Sequence, residues 1–148
     1  MSALRDDRLT SLAALLCLAG LGVAGYLTYV HYEGIAPICT SGGCEKVQAS
    51  SYSELAGVPV ALLGLLGYAA IALSLLWRGD AGRTVTAGLA IAGFGFSAYL
   101  TYLELFVIDA ICQWCVASAV LMAALLVVAV LRLLRGPAPR AAGRPASG

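Results

Sequence analysis

Four of the five cysteines fall into two close pairs, Cys39 with Cys44 and Cys112 with Cys115, and both spacings suit reversible disulfide chemistry. In Cys112-Gln113-Trp114-Cys115 the thiols stand three residues apart at the expected start of a helix, so both sulfurs lie on one face within reach of a disulfide. Free backbone N–H groups and the positive end of the helix dipole favour an anion there. Thiolate, the nucleophile in exchange, therefore forms more readily than at the usual thiol pKa of about 8.5. A purely structural bridge is the competing reading, but it would close a single helical turn, and the shortest closed loops give the least stabilisation. Cys39-Thr40-Ser41-Gly42-Gly43-Cys44 differs, with two glycines inside the pair and Pro37 just before it. It reads as a mobile, exposed disulfide that is easily attacked and can carry electrons between an outside protein and a buried site. A static clip on the loop is the alternative. A four-thiolate zinc site would fit both spacings, but His31 is the only histidine and the surroundings are apolar, so no metal is expected.

The elements that must hold these pairs are membrane helices. Hydrophobic residues make up 61% of the 148-residue chain and charged residues 11%, with a mean hydropathy of +0.90, far from the globular average of roughly 45–50% apolar and 25% charged. Four apolar runs, about 9–32, 58–77, 84–107 and 112–134, are each long enough for a hydrocarbon core of ~30 Å. Residues 1–136 are thus expected to form one all-α, four-helix membrane domain with an outer loop over 33–57. Residues 137–148, Pro- and Arg-rich, read as a disordered basic tail. Arg5, Arg8, Arg78, Arg83, Arg132, Arg135, Arg140 and Arg144 fall on one side of this arrangement, and only Lys46 on the other, beside Glu33, Glu45, Glu54 and Asp109. The positive-inside rule then sets both termini in the cytoplasm and both cysteine pairs outside. A net charge of +1 gives no reason to expect nucleic acid. The first run exceeds a secretory h-region of about 7–15 residues, so it is expected to remain as a span. Leu16 before Cys17 argues against lipoprotein processing.

Tyr26-Leu27-Thr28-Tyr29 recurs as Tyr99-Leu100-Thr101-Tyr102, and the same offset of 73 residues carries Cys39 onto Cys112. Each helical hairpin is therefore expected to present a cysteine pair at the same level. Gly20, Gly22, Gly25, Gly64, Gly67, Gly88, Gly93 and Gly95 suit close helix packing. Cys17, about 15 residues below the outer end of its helix, reads as a small buried hydrophobe. Electrons reaching a dithiol at the membrane edge need an acceptor. The chain has neither a haem histidine pair nor an iron–sulfur cysteine set, whereas a quinone needs only an apolar pocket with a few polar groups near Cys115. Trp114, Tyr26, Tyr99, Tyr102 and Phe94 are the candidate walls, with interfacial anchoring as their other reading.

Taken together, the Cys39/Cys44 loop, Ser50 six residues after Cys44, Gly57-Val58-Pro59 leading into the second span, and Cys112-Gln113-Trp114-Cys115 heading the fourth resemble the vitamin K epoxide reductase family in its bacterial form, over about residues 10 to 134. The resemblance implies a four-helix bundle around a quinone of menaquinone, ubiquinone or vitamin K type. It implies an active-site pair, Cys112 and Cys115, with Cys115 nearest the quinone, and a loop in which Cys39 meets the redox partner and Cys44 exchanges with Cys112. Ser50 would help keep that loop in position. The implied electron donor is a thioredoxin-fold, DsbA-like protein outside the plasma or bacterial inner membrane, and the implied role is disulfide formation in exported proteins. Many bacterial members carry a fused thioredoxin-like domain, for which the 14 residues after Leu134 leave no room, so a separate partner is expected. Vertebrate members carry a tyrosine four residues beyond the second active-site cysteine where this chain has Ala119, so quinone rather than epoxide is the expected substrate. The DsbB type of thiol oxidase differs in having its Cys-x-x-Cys pair near helix one. A membrane scaffold with structural disulfides and a zinc-handling protein are the readings from other classes.

Overall fold

Apolar runs of this length leave the backbone one way to satisfy its N–H and C=O groups in lipid, and every principal element is an α-helix. The structure, a computed structural model, describes residues 2–40 and 42–136, so the expected tail lies outside the described residues. Helix α1 (Ser2–Glu33) is followed by a short α2 (Cys44–Ala49), a 3-10 turn (Ser51–Ser53) and a hairpin of β1 (Glu54–Leu55) and β2 (Val58–Pro59). Then come α3 (Val60–Ser74), α4 (Asp80–Leu103), a π-helical turn (Glu104–Ile108) and α5 (Gln113–Arg135). The four main helices pack as a bundle, α1 against α3 and α5, and α4 against α5 and α3. This is the all-α architecture expected from the sequence.

Three helical stretches, Leu4–Glu33, Asp80–Ile108 and Gln113–Arg135, are long and apolar enough to cross a membrane. The second expected span is shorter than its apolar run. α3 has 15 residues, about 22 Å at ~1.5 Å per residue. Strand β2 takes Val58 and Pro59 at one end. At the other, Leu76 and Trp77 close turns onto the carbonyls of Leu73 and Ser74, and Gly79, at φ 95°, redirects the chain into α4. The 33–57 segment, expected as loop, holds α2 and the hairpin, whose Ala56 and Gly57 both take positive φ (53° and 81°), as a two-residue type I′ connection requires.

The core joins Ala13, Cys17 and Ala24 of α1, Tyr68 and Ile71 of α3, and Met122, Leu125 and Val128 of α5. Gly20 permits the closest approach in it: a Cβ there would overlap the Tyr68 ring. The Tyr68 hydroxyl donates to the Ser118 carbonyl at 2.7 Å. Leu15, Leu18, Leu66, Leu73, Val120 and Leu134 are each more than half exposed, a surface suited to lipid and not to water. At one end of the bundle Arg83 bonds Asp6 at 2.7 Å, tying α4 to α1, with Arg132 buried beside them. The two cysteine pairs gather at the other end.

Candidate active site

Helix α4 does not stop cleanly. It widens into the π turn, after which the Asp109 and Ala110 N–H groups both donate to the Glu104 carbonyl. Asp109 takes the left-handed conformation (φ 53°), which Asp tolerates better than most residues. The chain then runs extended to Cys112 (φ −93°, ψ 116°), which caps α5 and accepts its first bond from the Val116 N–H at 3.0 Å. Cys112 thus lies one residue ahead of the spanning helix, fully buried, and Cys115 sits half-buried in its first turn. Both are free thiols. The Cys112 thiol is held below the usual thiol range, chiefly by a hydrogen bond from the Cys115 thiol; burial opposes this, and the N–H groups of Cys115 and Trp114 at the open end of α5 add to it.

The second pair is a disulfide, Cys39–Cys44, with its Cα atoms 6.0 Å apart. Side chains lying between Cys112 and Cys115 bond the segment on either side of Cys39. The Thr40 N–H and hydroxyl both donate to Gln113 Oε1, at 3.1 and 2.7 Å. Trp114 Nε1 donates to the Ile38 carbonyl at 2.6 Å, and the Ile38 N–H donates to the Tyr26 hydroxyl at 2.9 Å. The Tyr26 and Trp114 rings meet at 4.9 Å. The backbone is therefore gripped on both sides of Cys39. Beyond it, Gly43 presses on the Ile111 peptide so closely that a Cβ would lie 2.8 Å from Ile111 N. Cys44 and Cys112, both fully buried, each follow that contact by one residue.

Ser50 ends α2, its hydroxyl donating to the Val47 carbonyl at 2.7 Å, and its own carbonyl accepts the Ser53 hydroxyl at 2.8 Å. It also borders a partly open cavity of about 140 Å³ between the main helices and the segment over 47–53. Cys115 and Ser118 of α5, Tyr68 of α3, Leu27 of α1, and Phe96 and Thr101 of α4 are among its walls, which are mainly apolar. None of the five aromatics expected there lines it. Tyr26 and Trp114 belong to the loop latch, while Phe94, Tyr99 and Tyr102 are 39%, 53% and 55% exposed, Tyr102 against Phe106. At about 100° per residue, Gly93, Ser97, Thr101 and Glu104 share the cavity face of α4, and Tyr99 and Tyr102 fall on the opposite side. Tyr26 and Tyr99, the first tyrosines of the internal repeat, consequently have different surroundings, although Cys39 and Cys112 do come to the same end.

Sequence reasoning gave Glu104 no role, and the structure brings it beside the reacting pair. Its side chain is buried, with Oε2 accepting the Cys112 N–H at 3.0 Å, and it borders the same cavity as Cys115. The available signal was a carboxylate inside an apolar run, which is costly in lipid without a task. Among the described residues no three His, Cys, Asp or Glu side chains form a metal-holding group. Over residues 11–130 the sequence matches the Vitamin K epoxide reductase family.

Proposed function

Since the chain belongs to the vitamin K epoxide reductase family, which implies a thiol–disulfide oxidoreductase working with a quinone, we propose that it carries electrons from an outside dithiol protein through Cys39/Cys44 and Cys112/Cys115 to a membrane quinone. One observation carries this reading: the head of α5 turns Cys115 toward an apolar cavity and buries Cys112 beside the loop that bears Cys44. A partner dithiol reduces the Cys39–Cys44 disulfide. Cys44 thiolate then attacks Cys112 of an oxidised Cys112–Cys115 pair, releasing Cys115, and Cys39 resolves the mixed disulfide. The outcome is a loop disulfide above an α5 dithiol, the state of the cysteines in this structure.

Oxidation of that dithiol forms an S–S bond and sends two electrons to the quinone. The bundle supplies position and a water-poor wall, and any quinone more oxidising than the partner's disulfide draws the electrons on. Tyr68, Ser118 and Thr101 are the polar groups we assign to hold the ring, with Ser50 steadying the loop. The basic residues at the opposite end support an orientation with the cysteines outside the cytoplasmic membrane. A thioredoxin-fold, DsbA-like donor and a role in disulfide formation in exported proteins complete the reading. The test is anaerobic addition of menaquinone, ubiquinone or vitamin K analogues to reduced protein. Quinol absorbance should appear as thiols disappear, and Cys112→Ala or Cys115→Ala should abolish it. Thiol counts that stay constant in the presence of every quinone would contradict the proposal.

A further inference from the structure

The geometry points to Glu104 as a catalytic residue, the proton carrier between the Cys115 thiol and the quinone. This rests on the cavity's being the quinone site, and deepens that reading. Glu104 is only 4% exposed, in an apolar bundle where a carboxylate is expensive to keep. It sits against the reacting pair: Oε2 accepts the Cys112 N–H at 3.0 Å, and Cys115 lines the cavity that Glu104 also borders. It borders two spaces at once. One is the apolar cavity it shares with Cys115; the other is an outer hollow it shares with Gly42, Lys46 and Asp109. The π turn that begins at Glu104 is a departure from α-helix of a kind frequent at functional sites.

The reaction requires such a group. As the Cys112–Cys115 bond forms, the Cys115 S–H bond breaks, two electrons enter the quinone, and its two carbonyl oxygens each take a proton. With Cys112 entering as thiolate, the dithiol supplies one proton, from Cys115, and the second comes from outside. Glu104 receives the first from the Cys115 sulfur and passes it to the nearer quinone oxygen. It then takes the second from the outer hollow and returns to its starting state. The ionisable groups facing it are Cys112 and Cys115 from α5, Lys46 from α2, Asp109 beyond the π turn, and the hydroxyls of Tyr52 and Tyr68 across the cavity.

Glu104→Gln tests this, because the amide oxygen can still accept the Cys112 N–H but cannot carry a proton. Reduced full-length protein is mixed anaerobically with a short-chain naphthoquinone, and single-turnover quinol formation is followed between pH 6 and 9. E104Q should be slower by roughly 10²-fold or more at neutral pH. Its residual rate should rise about tenfold per pH unit as hydroxide replaces the lost base, on a steeper profile than wild type, and reduction of its Cys112–Cys115 disulfide by dithiothreitol should fall far less. A rate within about threefold of wild type on a parallel profile overturns the assignment. So does an equal loss at every pH matched by loss of the dithiothreitol step, which marks structural support alone. Glu104→Asp keeps a base and should retain the wild-type profile at reduced rate; if E104Q does not fold, a tenfold-per-unit profile in E104D overturns the assignment. Wild-type protein that yields no quinol at any pH refutes the quinone reading itself.

Discussion

Gly43→Ala isolates the contact on which exchange between the two cysteine pairs depends. Gly43 has φ −92° and ψ −14°, a conformation open to any residue, so glycine is required there by space and not by backbone freedom. An added Cβ would lie 2.8 Å from Ile111 N and 3.0 Å from its carbonyl carbon, with the carbonyl oxygen closer still, where ordinary contact begins at 3.4 Å. The obstructing atoms are backbone and cannot swing aside. The loop must therefore retreat from the head of α5 by more than half an ångström, and Cys44 and Cys112 separate with it. Misplacement of reacting atoms by about 1 Å can slow a reaction by roughly 10²-fold, so transfer should slow by about 10- to 100-fold. The assay begins from Cys39→Ala, in which Cys44 is left to attack an oxidised Cys112–Cys115 pair. The Cys44–Cys112 mixed disulfide accumulates with Cys115 released, and quenched alkylation followed by mass spectrometry times it. Adding Gly43→Ala should delay that species by the stated factor. An unchanged rate, within about threefold, would refute the claim that the Gly43–Ile111 contact sets the distance.

Three further expectations follow from other contacts. Gln113→Ala removes both bonds from Thr40; docking of the loop should weaken by about 1–2 kcal/mol, seen as roughly 5- to 30-fold faster amide exchange at Thr40, and unaltered exchange would contradict the latch. Cys115→Ala takes away the first cause of the lowered Cys112 pKa. The wild-type Cys112 thiolate should therefore form below the usual thiol range, and in the variant its absorbance titration should shift to higher pH. A shift downward, or none, would be evidence against that hydrogen bond. Gly20→Ala drives a methyl into the buried Tyr68 ring, which its bond to Ser118 keeps in place, and should cost about 1–3 kcal/mol in denaturant unfolding. Gly22→Ala, with nothing near it, is the control and should be neutral or slightly stabilising.

What the sequence revealed follows from how local each signal is. Apolar run length encodes the helices directly, and the Cys-x-x-Cys spacing is meaningful within one helical turn. The short α3 was hidden because Val58, Leu75, Leu76 and Trp77 are as apolar as the helix itself, so hydropathy continues where the helix does not. The tyrosines were ambiguous for a related reason. An aromatic near a helix end suits both a lipid interface and a pocket, and only the helix's rotation decides; on α4 it turns Tyr99 and Tyr102 outward and Ser97, Thr101 and Glu104 inward. The loop latch joins Ile38 and Thr40 to residues more than seventy positions away, a relation no local pattern carries. The wider turn at Glu104 is equally invisible in composition, although the carboxylate itself was not.

The central claim is that both dithiols drain into one quinone site, and electron stoichiometry addresses it directly. Protein reduced at both pairs, freed of reductant and mixed anaerobically with excess quinone, should form about two quinols per chain while Cys39, Cys44, Cys112 and Cys115 all become oxidised and Cys17 stays free. A yield of one quinol per chain, with Cys39 and Cys44 still alkylatable, would mean that the loop does not pass its electrons to α5.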